Sequence, residues 1–482
     1  MLKSRTSRLL TQSNGRRIII FDRDGIAEEL GLSRLLQENR FTLYKYNNVE
    51  EFRVIYEEQI KLCGDQVAIL VSDDIYVPYD IRRSFSEVEL SMNTLFPKLN
   101  SGTVLKHRRD WDIISFASES CYGDLSQAKQ TEAFIMDSVL SVEMVIGYCK
   151  VKTDELRGLC AAAVSYGDWL EVAKMKALVD YYGAMKGLTN DLSFVDAAFA
   201  KFMADGYSRL SLEINSSYPP IVTKVIPWIV DKNHEKIAVI VMDGMSLFDF
   251  EVVSRHFQDI EYEFEASYGI VPTMTPLSRQ SLLSGKYPRE LAKPFSLVEE
   301  EKEFRAHSAI LGFGYNQVEY LRGFDTCISP LSKLVAIIVN EVDDIAHGQH
   351  QGRVGMYNDM NLFGRSGKLQ ALVTRLVGLG FSVYITSDHG NTPCIGVGGF
   401  RSGVEIESRS MRMAVLKDFA EANTLLKEHT VEYPGFYLDK DFRYFICESG
   451  VSFDSKGETV VTHGGMSLDE VIVPFIKIKG VG

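Results

Sequence analysis

The stretch with the clearest chemical potential is residues 271–279 (VPTMTPLSR), which predicts a loop that turns into a helix. Thr275 occupies the expected N-cap, and Pro276 follows at the first helical position, where its missing N–H costs nothing. Free backbone N–H groups and the positive end of the helix dipole then surround the Thr275 hydroxyl, an arrangement that binds a phosphate oxyanion. Arg279 follows four residues later on the same helical face, where it would form a fork on that phosphate.

Acidic and imidazole side chains follow three predicted buried strands, at 237–242, 334–339 and 381–385. These strands are continuous apolar runs, which is typical of a parallel sheet covered on both faces. Because ligands of open α/β sheets bind beyond the carboxyl ends of the strands, we expect the polar residues there to meet in one crevice. In chain order they are Asp243, Asp343, His347, Asp388 and His389, with His463 following near the C-terminus.

Three aspartates and three histidines around a threonine hydroxyl form an oxygen and nitrogen donor set that suits Zn²⁺ or Mn²⁺. Two such ions about 3.5–4 Å apart clamp the attacking and leaving oxygens of an in-line displacement at phosphorus. Asp344 is an alternative to its neighbour Asp343, but the four-residue step to His347 favours Asp343. The donor set therefore predicts a two-metal phosphohydrolase.

The order of these residues resembles the signature of the alkaline-phosphatase superfamily. That signature is Asp, a Thr or Ser nucleophile, Asp-x-x-x-His, Asp-His-Gly and a distal His. More narrowly, the segment P-T-x-T-x-x-x-R and the ending H-G-G-x-S-x-x-E-x-x-V-P, from His463 to Pro474, resemble the PglZ family. The motifs cover residues 236–482, and the segment before them also resembles what precedes this domain in PglZ proteins.

The resemblance implies a role for each side chain. The implied ligands of one metal are Asp243, Thr275, Asp388 and His389. The implied ligands of the other metal are Asp343, His347 and His463. Thr275 would be both ligand and nucleophile and would form a phospho-threonine, with Thr273 as the fallback nucleophile. Ser278 stands where the phosphodiesterase branch often has Asn, and no third-metal set of the phosphomonoesterase kind is evident, so both ester classes stay open, with the diester preferred.

The elements that must position these residues predict an α/β fold, an alkaline-phosphatase-like, mostly parallel sheet sandwiched by helices. We expect four parts: a loose basic arm at 1–16, a small α/β domain at 17–124, a helical segment at 125–232 and the catalytic domain at 233–482. The small domain is predicted to contain strands at 18–21, 41–46 and 66–72 and helices at 49–60 and 87–99. Residues 391–403, with Arg401, are interpreted as either a mobile substrate gate or a plain long loop.

Composition narrows the function classes. The net charge of −13 disfavours broad non-specific binding of nucleic acid. No apolar run reaches the roughly 20 residues of a membrane helix, so we expect no membrane association. The seven cysteines are scattered and form no C-x-x-C, which favours reduced thiols and a cytoplasmic protein.

The prediction is therefore a metal-dependent phosphoric ester hydrolase with two divalent ions, Zn²⁺ or alternatively Mn²⁺. The preferred activity is that of a phosphodiesterase or nuclease, with a nucleic acid or nucleotide as substrate. The PglZ resemblance implies a setting in bacteriophage defence, including BREX-type systems, with other defence proteins as partners. The alternatives are a phosphomonoesterase, or a structural or regulatory component whose metal site binds without turnover.

Overall fold

The computed structural model describes residues 1–11, 15–72, 75–119, 123–232, 234–400, 410–417 and 424–481. The chain divides into two compact units, Met1–Tyr148 and Cys149–Gly482. The four-part division expected from the sequence stays a prediction. No helix in the described ranges is both long and apolar enough to cross a membrane.

The first unit is built on a four-stranded parallel sheet. Across the sheet its strands are Phe41–Tyr46, Gln66–Ser72, Arg17–Asp22 and Ser86–Leu90. Its α-helices are Leu2–Thr11, Leu32–Glu38, Val49–Ile55, Tyr79–Arg82, Met92–Leu95, Ser101–Lys106, Trp111–Ser118 and Ala128–Ala133. Single π-helical turns at Tyr56–Ile60 and Phe134–Val139 extend two of them. The boundary between the two units falls within the helix Val142–Ala162.

The N-terminal segment differs from its prediction as a loose arm, because Leu2–Thr11 is a helix. Leu10 on this helix is buried within the unit. The Arg5 guanidinium donates to the carbonyl oxygen of Leu95 at 2.8 Å and to Ser118 Oγ at 3.0 Å. Both the apolar Leu10 and the basic Arg5 therefore hold this helix against the unit.

The predicted helix at 87–99 is wrong. Ser86–Leu90 is instead a strand that pairs in parallel with Arg17–Asp22, and only Met92–Leu95 is helical. The segment SEVEL alternates between exposed and buried side chains, as a strand at the edge of a sheet does. Ser91 caps the short helix, and Pro97 follows shortly after it ends.

The second unit contains a six-stranded sheet. Across the sheet its strands are Ile260–Tyr268, Ile472–Val481, Ser382–Thr386, Ile237–Met242, Leu334–Val339 and Val318–Arg322. The last four are parallel, and Ile472–Val481 runs antiparallel to both of its neighbours. Every residue of the central strand Ile237–Met242 is buried. The mostly parallel α/β sheet flanked by helices is thus confirmed.

The helices of the second unit surround this sheet. They are Tyr166–Met185, Ser193–Gly206, Val225–Val230, Leu247–Ser254, Thr275–Ser284, Glu300–Ile310, Glu341–His347, Gly352–Arg365, Lys368–Gly378, Thr424–His429 and Leu468–Val471. Two three-stranded sheets accompany them. One contains Val451–Ser452, Thr392–Gly396 and Thr459–Thr462, and the other contains Met413–Lys417, Phe442–Cys447 and Thr430–Tyr433.

The first small sheet changes the interpretation of the segment at 391–403. Thr392–Gly396 is a strand that pairs antiparallel with Thr459–Thr462. This part of the segment therefore belongs to a sheet, and it is neither a mobile gate nor a plain loop. Arg401 lies outside the described residues.

Candidate metal centre

The carboxyl ends of neighbouring parallel strands bring the predicted ligands together. Asp243 directly follows the central strand Ile237–Met242. Asp388 comes two residues after Ser382–Thr386, which pairs with the central strand on one side. The helix Glu341–His347 follows the strand that pairs on the other side. Residues that are far apart in the sequence therefore meet at one edge of the sheet, as the strand pattern predicts.

The six Asp and His residues among the predicted ligands fall into two groups, within each of which the ligand atoms lie within 4.8 Å of one another. The first group is Asp243, Asp388 and His389. The second group is Asp343, His347 and His463. Asp344, the alternative to Asp343, is exposed and belongs to neither group.

The two groups lie side by side. The ring of His389 from the first group stacks on the ring of His463 from the second, with centroids 4.0 Å apart and planes 17° apart. Gly244, with φ of +73°, lets the helix that carries Asp343 approach, because a Cβ there would lie 3.1 Å from Asp343 Oδ1. The two groups therefore line one continuous site.

In the first group, hydrogen-bond acceptors converge. Nδ1 of His389 lies 3.0 Å from the carbonyl oxygen of Gly390, and a carbonyl can only accept, so Nδ1 carries the hydrogen of the neutral ring. Nε2 then presents a lone pair 3.5 Å from Asp243 Oδ1 and 3.7 Å from Asp388 Oδ2. Both carboxylate oxygens are buried, and no described residue donates a hydrogen bond to either of them. A cation between these atoms satisfies all three.

The second group repeats this arrangement. His463 donates from Nδ1 to the carbonyl oxygen of Thr273 at 2.8 Å, which turns its Nε2 toward His347 Nε2 at 3.2 Å and Asp343 Oδ1 at 3.5 Å. Asp343 and His347 lie on one face of the helix Glu341–His347, with Oδ1 and Nε2 3.3 Å apart. Histidine ligands whose second nitrogen donates to a backbone carbonyl are characteristic of metal sites.

Burial and neighbouring charges shift the pKa values of the predicted ligands. Burial raises the pKa of Asp388 to about 6. Burial also raises the pKa of Asp243 well above its usual value, and the neighbouring Asp388 adds to that rise. Burial lowers the pKa of His463 well below its usual value, with His389 adding to the effect, so this ring is neutral. Adjacent buried carboxylates with imidazoles beside them fit two divalent cations.

Asp343 behaves differently from the other two carboxylates. Burial acts to raise its pKa, but the opposing effects, of which the hydrogen bond with His347 is the largest, lower the pKa below the usual range. Asp343 is therefore charged near neutral pH, as a ligand of a cation must be.

Thr275 brings its hydroxyl to the first group. The helix Thr275–Ser284 begins one residue earlier than predicted, with Met274 as the N-cap and Thr275 as the first helical residue. Thr275 Oγ1 lies 2.9 Å from His389 Nε2. The hydroxyl thus lies beside a nitrogen that also faces Asp243 and Asp388.

Thr273, the fallback nucleophile, has a different environment. Its side chain is fully buried, and its hydroxyl donates to the carbonyl oxygen of Gly465 and accepts from the N–H of Gly464, both at 3.0 Å. These bonds join the loop before Thr275 to the loop after His463. The hydroxyl of Thr273 is structural, which leaves Thr275 as the threonine beside the ligands.

Glu470 completes this junction, and the sequence analysis missed its role. Oε1 accepts from the N–H of Gly465 at 2.7 Å, and Oε2 accepts from the N–H of Ser467 at 3.0 Å. The fully buried guanidinium of Arg412 also donates to Oε2. The spacing from Ser467 to Glu470 is that of a capping box, and this was the available signal.

Arg279 does not take the position expected from the sequence, where it would form a fork on a bound phosphate. Its side chain is 1% exposed. Its Nη1 lies 2.5 Å from Asp243 Oδ2, and its Nε lies 2.8 Å from Glu300 Oε2. The guanidinium therefore binds two protein carboxylates. Ser278, which stands where the phosphodiesterase branch often has Asn, is fully buried, and its hydroxyl has no hydrogen-bond partner within the described residues.

Asn391 is a second residue that the sequence analysis missed. Its Nδ2 donates to the carbonyl oxygen of Gly244 at 2.9 Å and to Asp249 Oδ2 at 2.6 Å. The turn after Asp243 is thereby tied to the loop after His389. The sequence around Asn391 does not indicate a contact with residues so far away in the chain.

The fold and the two ligand groups define an alkaline-phosphatase-like protein of the phosphoesterase type. The chain belongs to the PglZ family, because residues 221–478 match the BREX system PglZ alkaline phosphatase-like domain. The family resemblance inferred from the motifs is confirmed.

Solved structures with related folds are distant. Murine ectonucleotide pyrophosphatase/phosphodiesterase 5 is 12% identical with a TM-score of 0.34, over 50% of this chain and 87% of that one. Phosphonoacetate hydrolase from Sinorhizobium meliloti 1021 in complex with phosphonoformate is 13% identical with a TM-score of 0.34, over 50% of this chain and 89% of that one. No curated protein matches the chain significantly.

Proposed function

We propose that this chain is a two-metal phosphohydrolase that cleaves phosphodiesters through a phospho-threonine at Thr275. The observation that carries the proposal is the 2.9 Å contact between Thr275 Oγ1 and His389 Nε2, inside the ligand group that includes Asp243 and Asp388. The family name supports a role in a BREX-type defence system, with other proteins of that system as partners.

The ligand groups assign the metals. Asp243, Asp388 and His389, together with Thr275, would hold one divalent cation, and Asp343, His347 and His463 would hold the other. When bound, two such cations lower the pKa of the Thr275 hydroxyl and offset the charge that develops on the phosphoryl oxygens. Equal numbers of imidazoles and carboxylates suit Zn²⁺, with Mn²⁺ as the alternative.

The residues of the chain then act in two steps. Thr275 Oγ1 gives up its proton and attacks phosphorus, and one alcohol leaves with a proton while the other stays on the phosphoryl group. Water next cleaves the phospho-threonine, which releases a phosphomonoester and restores the hydroxyl. The helix Thr275–Ser284 begins at the nucleophile, so its free N–H groups would be available to the phosphoryl oxygens.

The charge of the site supports a diester over a monoester. While the Thr275 hydroxyl keeps its proton, three ligand carboxylates and two divalent cations leave one net positive charge, which matches the single negative charge of a phosphodiester. Arg279 adds nothing to this total, because Glu300 neutralises it. Nucleic acids and nucleotides contain such diesters, and we propose them as the substrate class.

The test is hydrolysis of bis(p-nitrophenyl) phosphate and of p-nitrophenyl phosphate, each with Zn²⁺, Mn²⁺ or chelator. We expect metal-dependent turnover, faster with the diester. His347→Gln should lose most of this activity, whereas His350→Gln, an exposed histidine three residues away, should keep it. Absence of turnover with either ester in a protein that holds two cations would overturn the enzyme and favour a structural or regulatory metal site.

A further inference from the structure

We infer that Arg279 and Glu300 are positioning residues that hold the ligand Asp243 and preserve its charge for a cation, and that Arg279 does not bind phosphate. This inference rests on the proposed two-metal function. It reverses the role that the spacing from Thr275 to Arg279 indicated, and it assigns a role to Glu300, which no sequence motif includes.

The two carboxylate oxygens of Asp243 have different neighbours, because Arg279 binds only one of them. Oδ2 accepts from Arg279 Nη1 at 2.5 Å, while Oδ1 faces His389 Nε2 at 3.5 Å and has no hydrogen-bond donor. The carboxylate cannot rotate without breaking the bond to the guanidinium. Oδ1 is thereby presented to the ligand group as a single, fixed oxygen.

Glu300 fixes Arg279 in turn. Its Oε2 accepts from Arg279 Nε at 2.8 Å, and its Oε1 accepts from the hydroxyl of Tyr320. Arg322, which is 53% exposed, donates to the Tyr320 hydroxyl at 2.9 Å. Glu300 itself is 1% exposed and begins the helix Glu300–Ile310, where the helix dipole stabilises an acid. A chain of hydrogen bonds thus runs from the surface to Asp243.

The charges explain why Arg279 needs Glu300. A guanidinium beside Asp243 would by itself cancel part of the negative charge that Asp243 and Asp388 offer to a divalent cation. Glu300 cancels the charge of Arg279, so the pair orients Asp243 without weakening its attraction for the cation. Burial acts to lower the pKa of Arg279, but Asp243 and Glu300 raise it above its usual value, so the guanidinium stays charged.

The test measures the affinity for Zn²⁺ alone, by competition with a chromogenic chelator. Glu300→Gln keeps an acceptor for Arg279 but leaves its charge uncompensated, so we expect one of the two binding steps to weaken by about tenfold or more. Glu301→Gln is the matched control, because Glu301 is exposed and pairs with Arg305 at 2.9 Å. Its affinity should equal that of the wild type.

Arg279→Lys separates positioning from phosphate binding. Lysine is a single point charge and cannot hold Asp243 and Glu300 together, so the same Zn²⁺ step should weaken. At saturating metal, kcat should fall while KM and inhibition by inorganic phosphate stay close to the wild-type values. Unchanged Zn²⁺ affinity together with weaker phosphate inhibition would overturn the inference and return Arg279 to the phosphate.

Failure of this inference is distinct from failure of the proposed function. Zn²⁺ affinity is measured without substrate, so a Glu300→Gln effect in a protein that hydrolyses no ester would sustain the positioning role and reject the enzyme. Ester hydrolysis with equal Zn²⁺ affinity in all variants would reject only the positioning role. A wild-type chain that binds no divalent cation would overturn both.

Discussion

Oγ1 of Thr275 and Nε2 of His389 lie 2.9 Å apart at the first residue of a buried helix. This contact joins the proposed nucleophile to the group that contains Asp243 and Asp388. His389 also stacks on His463 of the second group, so one imidazole touches the nucleophile and both ligand sets. We therefore expect the reactivity of the Thr275 hydroxyl to depend on the ligands of both groups.

Asp388→Asn should stabilise the metal-free protein while it removes a metal. The substitution keeps an oxygen for the N–H of Gly244, which Oδ1 of Asp388 accepts at 3.3 Å. It removes a buried carboxylate whose pKa burial raises to about 6, and this relieves about 3 kcal/mol near neutral pH. Chelator-treated samples compared by urea unfolding, with metal content measured in parallel, check this. A less stable variant that still binds two cations would contradict it.

The metal-dependent rise in Tm should grow with pH. The folded pKa of Asp388, about 6, exceeds the unfolded value of about 4, so the folded metal-free chain binds more protons in this window and loses stability as pH rises through it. Asp243 shifts in the same direction. Metal binding needs both groups deprotonated, so the difference in Tm between metal and chelator should be larger at about pH 7.5 than at about pH 5. Equal differences at both pH values would be inconsistent with these buried ligands.

Asp343→Asn and Asp344→Asn form a matched pair that tests the second group. Asp343 Oδ1 lies 3.3 Å from His347 Nε2 and 3.5 Å from His463 Nε2, whereas Asp344 is exposed. We expect Asp343→Asn to retain one cation instead of two and to lose most turnover. Metal analysis should find two cations in Asp344→Asn. The reverse result would move the ligand to Asp344.

Thr273→Val should cost stability without removing the nucleophile. The substitution leaves the buried N–H of Gly464 without its acceptor and removes one of two hydrogen bonds to the carbonyl of Gly465, at a cost of about 1–3 kcal/mol. Turnover per folded molecule should remain well above that of Thr275→Val. Urea unfolding and initial rates on the same preparations check both parts. Full stability with no turnover would make Thr273 the reacting residue.

The site was predictable where chemistry follows from local pattern. Continuous apolar strands that end in Asp or His predicted that these residues meet in one crevice, and the family resemblance implied the two groups into which the six Asp and His ligands fall. Parallel strands place their carboxyl ends at one edge whatever the length of the connections, so the distance in sequence did not matter.

Prediction failed where a long-range contact decided the outcome. Glu300 reaches Arg279 across 21 positions, and an ion pair between two helices leaves no periodic trace in the sequence. The segment at 86–90 alternates as a strand does, but it is only five residues long, so its pairing with Arg17–Asp22 was needed to separate a strand from a helix. The spacing of Glu470 from Ser467 indicated a capping box, but its hydrogen bond with Gly465 depends on the fold of the loop and could not be predicted.

The most direct test of the account is the hydrolysis of bis(p-nitrophenyl) phosphate by Thr275→Val and Thr275→Ser, each with measured metal content. Thr275→Ser keeps the hydroxyl and should retain measurable turnover and a trappable phospho-enzyme at residue 275. Thr275→Val should lose at least about 10³-fold in turnover while it still binds cations at the second group. Turnover by Thr275→Val close to that of the wild type would contradict a nucleophilic Thr275.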